Sequence, residues 1–151
     1  MRMITKNLEE THKAADEFVV SLNALLKNGQ MPSGATVIGL HGDLGSGKTS
    51  FVQGVAKAFG VKGSVISPTF VLQKRYSLKD HFHFKNMIHI DAYRLEKADE
   101  ILPLGWHDIT SDKKNIIFIE WPEKIGEHMP NNHKKILFEF IDPENRKLEI
   151  I

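Results

Sequence analysis

Gly42-Asp-Leu-Gly-Ser-Gly-Lys-Thr49 decides the reading of this chain. Two glycines five positions apart, followed by Lys and then Thr, form the phosphate-binding loop pattern. Its parts have separable jobs. The glycines let backbone N–H groups curl around an anion. Lys48 adds a point charge for the outer phosphates, and the Thr49 hydroxyl is a ligand for Mg²⁺. The spacing places Asp43, Leu44, Gly45, Ser46, Gly47, Lys48, Thr49 and Ser50 around the bound group. Context supports the pattern. Ala35 to Leu40 is an apolar, β-branched run that ends just before the loop. Phe51, Val52, Val55 and Phe59 recur at helical spacing after it, and Gly60 stops them. A helix starting there aims its positive end at the same spot.

Working outward, Leu8, Ala15, Phe18, Val19, Leu22, Leu25 and Leu26 fall on one helical face. Asn7 with Glu10 resembles a capping box, and Gly29 is a stop. This helix is read as preceding the first core strand. Downstream, Phe70 to Leu78 and His81 to Ile90 read as strands of an antiparallel hairpin turning at Lys79-Asp80. On that reading His81 and His83 share a face of a half-solvated strand, opposite Phe82 and Phe84. Leu95 to Leu102 reads as a short helix ending near Pro103-Leu104-Gly105. Asn115-Ile-Ile-Phe-Ile-Glu120 has the pattern of a strand buried on both faces, stopped by Trp121-Pro122. Lys135 to Ile141 and Lys147 to Ile151 are short strands around the turn Asp142-Pro-Glu-Asn145. The fold class is α/β with a mixed sheet, and 151 residues predict one domain.

Composition narrows the classes. At 41% hydrophobic and 26% charged, the chain is an ordinary globular sequence with no need of a disulfide or metal staple. Its net charge of +1 gives no bulk field for nucleic acid. The amino terminus has no run of signal-peptide length, no stretch approaches a membrane span, and cysteine is absent. A cytoplasmic location is the expectation.

A phosphate loop needs a carboxylate to hold Mg²⁺. Glu120, at the carboxyl end of a buried strand, is the first candidate. Asp91, ending another apolar strand, is the second, and alternation puts His89 on its face. A His-x-Asp metal site lacks further ligands at useful spacing. Ser67-Pro-Thr-Phe70 offers loop hydroxyls of the kind that sense a γ-phosphate, and is also an ordinary turn. Trp121 reads as core from its type alone.

Four segments together resemble the TsaE (YjeE) family, the small P-loop ATPases of bacterial tRNA threonylcarbamoyladenosine synthesis. They are Gly42 to Thr49, Ser67-Pro-Thr-Phe70, His89-Ile-Asp-Ala-Tyr-Arg94 and Ile119-Glu-Trp-Pro-Glu123. The resemblance implies a three-layer P-loop NTPase fold, a parallel core flanked by antiparallel hairpins. It implies ATP and Mg²⁺ as ligands, Lys48, Asp91 and Glu120 as catalytic residues, and Thr49 and Glu120 on the metal. Ser67 and Thr69 become switch residues, and Trp121 moves beside the nucleotide. TsaD-like and TsaB-like partners and a weak, partner-stimulated ATPase are implied as well, with tRNA as the pathway's target. Trp106-His107 and the Lys79-Asp80 turn depart from the family pattern.

Other readings compete. A small-molecule P-loop kinase usually closes an arginine-bearing lid, and the four arginines at 2, 75, 94 and 146 do not cluster in sequence. Among them, Arg94 alone sits in a segment expected to reach the site. A GTPase would need an Asn-Lys-x-Asp segment, which is missing. A non-catalytic nucleotide-binding module and direct tRNA binding complete the set.

Overall fold

The computed structural model describes residues 1–63 and 72–151. The sequence readings at Ser67, Thr69 and Phe70 therefore lie outside the described residues. Among those described, seven strands form one sheet: β1 (Arg2–Thr5), β2 (Thr36–His41), β3 (Gln73–Ser77), β4 (Asn86–Asp91), β5 (Asn115–Glu120), β6 (Lys134–Phe140) and β7 (Arg146–Ile150). The order across the sheet is β1-β7-β6-β2-β5-β4-β3. The central four strands, β6, β2, β5 and β4, run parallel. Antiparallel pairs flank them, β3 against β4 on one side and β6–β7–β1 on the other.

Helices α1 (Leu8–Lys27) and α2 (Lys48–Ala58) cover one face. There Phe18, Phe51 and Phe118 meet edge to face, with ring centroids 5.8 and 6.2 Å apart. The opposite face carries a 3-10 turn at Ala98–Leu104 and the short helix α3 (Trp106–Ser111). Ile101, Trp106 and Ile109 pack there on Ile88, Ile90, Ile117 and Ile119. All six residues of β5 are buried, as a strand covered on both faces must be. The mixed sheet with a helical layer on each side is the architecture expected from the sequence.

Several local expectations need correction. Strand β1 was not anticipated. Its partner is β7, at the far end of the chain, so no local pattern marks it. In α1, Asn7 caps the Glu10 amide at 2.8 Å as read, but the Glu10 carboxylate returns to the Lys6 amide. Leu8 and Leu25 do not join the buried face; Leu8 is 56% exposed.

The hairpin β3–β4 exists, with Ser77 opposite Asn86, but its connection is a loop of eight residues instead of a two-residue turn. Residues 81 to 85 are not strand. His81 Nδ1 accepts the amide protons of His83 and Phe84, at 3.1 and 2.8 Å, and so holds their backbone in a tight loop. His83 is buried against the Lys113 carbonyl, and Phe84 is buried while Phe82 is exposed. Gly105, in the left-handed region, ends the 3-10 turn and opens α3.

Close packing of α1 on α2 depends on Gly54. A Cβ there would lie 2.8 Å from the Ala15 Cβ and 3.0 Å from the His12 Cα. Gly54→Ala should therefore destabilise the fold by about 1 kcal/mol or more, although Ala is the better helix former. Urea unfolding tests this, and a stabilised variant would contradict the packing.

Stability should also respond to pH. Burial lowers the pKa of His41, His81 and His83 below the ordinary histidine value. These groups stay neutral in the folded chain while the unfolded chain takes up protons near pH 6.5. Their contribution is whole above that pH and is lost as pH falls through the lower folded values. Protonating His81 Nδ1 would also remove the acceptor that holds the 81–84 loop. Denaturant midpoints should drop between about pH 7 and pH 5; a flat profile would contradict this.

Candidate functional site

Strand β2 delivers the glycine loop to the carboxyl end of the parallel strands, where open α/β sheets place their ligands. Gly42 has φ 151°, and a Cβ there would meet the Phe138 carbonyl oxygen at 2.6 Å and Ser46 Oγ at 2.7 Å. Only glycine fits this passage. Gly47 precedes α2 in a left-handed conformation, and no side chain caps the helix among the described residues. No acid lies in its first turn either. The first N–H groups of α2 therefore face the cavity without a side-chain acceptor, an arrangement suited to an anion.

That cavity encloses about 580 Å³, within the usual range for a small-molecule site. Leu44 to Ser50 form its floor, with Asp91, Glu120 and Trp121 on one wall. Asp43 lies outside the lining; its carbonyl instead accepts from Lys48 Nζ at 3.0 Å. Lys48 Nζ also donates to the Gly42 carbonyl and stands 4.5 Å from the centre of the Trp121 ring. Burial pushes the Lys48 ammonium below its ordinary pKa, against the pull of Glu120, Asp91, Glu123 and Asp43.

Parallel pairing of β4 with β5 puts Asp91 directly beside Glu120. Both are at least nine-tenths buried. Thr49 Oγ1 donates toward the Glu120 oxygens at 3.3 and 3.4 Å. Asp91 Oδ1 accepts the Tyr93 amide at 2.9 Å. Two neighbouring carboxylates and a hydroxyl are a hard, all-oxygen donor set, the kind that suits Mg²⁺. His89 and Asp91 belong to no three-ligand cluster of the zinc type among the described residues.

Trp121 has two environments. It packs against the apolar cluster under α3, and it lines the cavity with Tyr93, ring centroids 5.1 Å apart. Its φ of 58° is left-handed, a conformation that costs a bulky residue about 1–3 kcal/mol. Glu123 does not line the cavity; its carboxylate lies 3.6 Å from His41 Nδ1.

The sequence reading undercounted the arginines. Arg94 lines the cavity as expected, and so does Arg146. Arg146 Nε donates to the Gly45 carbonyl at 3.2 Å, while Nη1 donates to the carbonyls of Asp142 and Asn145. Its guanidinium stacks 4.5 Å from the Phe140 ring centre. Thr5 to Leu8, with Pro143 and Glu144, complete the outer wall. No local motif announces these residues, because β1–β7 pairing brings them in from the two ends of the chain.

Comparison with known proteins agrees with this geometry. The family described as threonylcarbamoyl adenosine biosynthesis protein TsaE matches residues 5–148. A tRNA threonylcarbamoyladenosine biosynthesis protein TsaE from Nostoc sp. is 31% identical, covering 99% of this chain and 89% of the relative. One from Rickettsia bellii is 34% identical, covering 97% and 92%. The crystal structure of YdiB from Bacillus subtilis superposes with a TM-score of 0.66 at 27% identity, over 99% of this chain and 83% of that one. The fold is that of a P-loop NTPase with a mixed sheet. With the glycine loop, the paired acids and this match along nearly the whole sequence, the chain belongs to the TsaE family of tRNA threonylcarbamoyladenosine biosynthesis.

Proposed function

We infer that this chain binds ATP with Mg²⁺ and hydrolyses it slowly, at a rate raised by TsaD-like and TsaB-like partners during threonylcarbamoyl modification of tRNA. The observation that carries the reading is the convergence of Lys48, Thr49, Asp91 and Glu120 at the start of α2. Each has a distinct job there. The α2 amides and Lys48 hold the β- and γ-phosphates, and the lysine offsets charge that builds on their oxygens. Thr49 and Glu120 would hold Mg²⁺, which supplies further charge neutralisation when bound. Asp91 stands next to Glu120 and orients the attacking water. Trp121 and Tyr93 exclude solvent from one side. Thr5 to Leu8 and the turn before Arg146 provide the wall for the nucleoside end.

The kinase alternative gains little from Arg146. Three backbone carbonyls and a phenyl ring fix that side chain against the glycine loop, whereas a lid arginine must move. Arg2 pairs with Glu149, and Arg75 is exposed on the edge strand β3. Hydrolysis accelerated by a partner remains the better account.

ATP turnover with and without a TsaB–TsaD pair tests the reading, comparing the native chain with Lys48→Ala and Glu120→Gln. Lys48→Ala should lose tight nucleotide binding. Glu120→Gln should keep some binding and lose stimulated turnover by about a hundredfold. Equal activity in all three would overturn these roles.

A further inference from the structure

His89 is a buried polar residue for which the roles above leave no task. It lies two positions before Asp91 on β4 and faces the same side of the sheet. Its strand neighbour on that face is Met87, and its register partner on β5 is Phe118, both fully buried. Packing alone would favour an apolar residue here. The imidazole is instead completely enclosed, with Nε2 2.7 Å from Glu120 Oε2. Its Nδ1 finds no hydrogen-bond partner among the described residues. Leaving a buried polar atom unpaired is destabilising, so the other nitrogen must be useful.

An ionised carboxylate only accepts hydrogen bonds. The contact to Glu120 Oε2 is therefore a hydrogen bond donated by His89 Nε2–H. Among the described residues this is the shortest hydrogen bond to the Glu120 side chain; the Thr49 hydroxyl contacts both oxygens at longer range. Lys48 attracts the same carboxylate electrostatically, yet its ammonium is held by the Gly42 and Asp43 carbonyls. A glutamate with rotatable bonds would otherwise swing toward that charge.

We propose that His89 is a positioning residue that anchors Glu120 Oε2, keeps the carboxylate from collapsing onto Lys48, and leaves Oε1 available to the divalent cation of MgATP. The inference rests on the MgATP reading. It concerns geometry and requires no change in the protonation of His89.

The test compares His89→Gln with His89→Asn. A Gln amide nitrogen reaches the place of Nε2, whereas Asn reaches only that of Nδ1. Uptake of Mn²⁺ in the presence of ADP, read from the loss of the free-ion EPR signal, reports the site without turnover. Gln should bind Mn²⁺ within about threefold of the native chain, and Asn about ten- to a hundredfold more weakly. Metal-free ADP binding should stay native-like in the Gln variant and weaken in the Asn variant, where the released carboxylate competes with phosphate for Lys48. An Asn variant that binds like the native chain overturns the proposal, as does a folded Gln variant no better than Asn. Failure of the native chain itself to take up Mn²⁺ with ADP overturns the MgATP reading along with it. Histidine ¹⁵N spectra of the native chain give a check that needs no folded His89 variant. They should show the Nε2–H tautomer at His89, perturbed by Glu120→Ala, and an Nδ1–H tautomer overturns the anchor.

Discussion

One constraint organises this molecule: β4 and β5 run parallel in a register that sets Asp91 beside Glu120. Neighbouring strands are about 4.8 Å apart, so two carboxylates on one face repel unless positive groups or donors meet them. Each is answered separately. Glu120 receives His89 Nε2 and Thr49 Oγ1, Asp91 receives the Tyr93 amide, and Lys48 supplies the nearby charge. The glycine loop matters in the same frame. It sets the start of α2 opposite the acids, so that one lysine and one threonine arrive together.

The local parts of this design were legible in the sequence. Asn115–Glu120 reads as a strand because six consecutive residues must be buried on both faces, and it ends where Pro122 begins a 3-10 turn. The loop and α2 are legible because glycines at fixed spacing have few other uses. The residues at 81 to 85 were misread for a physical reason. Alternating His and Phe imitates a strand, but His81 takes up two backbone amides that a strand would give to its neighbour. Trp106, a departure from the family pattern, has a structural role here. It is the buried start of α3, with its indole N–H bonded to the His128 carbonyl at 2.9 Å. Parts of the site that depend on distant pairing were not legible. Nothing in Arg2–Thr5 names β7 as a partner, and so nothing foretold that Leu8 and Arg146 would border one cavity. His89 and Glu120 were each noticed, but their bond requires knowing that β4 and β5 are neighbours.

Closure of the sheet by the chain ends has a functional consequence. β1 and β7 join residues separated by nearly the whole chain, and Met1 extends the pairing to the Ile150 backbone. Such non-local contacts carry the largest loop-closure cost in the sheet. The outer wall of the cavity thus rests on the pairing of greatest sequence separation. The inner wall, made by β2, β5 and α2, rests on contacts nearer in sequence and on the Phe18–Phe51–Phe118 cluster.

The charge arrangement also explains why a divalent cation belongs in the proposed reaction. Around the loop, Asp91 and Glu120 face Lys48, whose ammonium is already disfavoured by burial. Arg146 spends several donors on backbone carbonyls of the loop and the neighbouring turn. A triphosphate entering beside two carboxylates would be repelled by them, and one lysine and a helix terminus offset only part of that. A hard cation held by Glu120 would change the sign of that contact. On this argument the acids are poor partners for a bare nucleotide and good partners for its magnesium complex, so nucleotide affinity and metal binding should be coupled through Glu120.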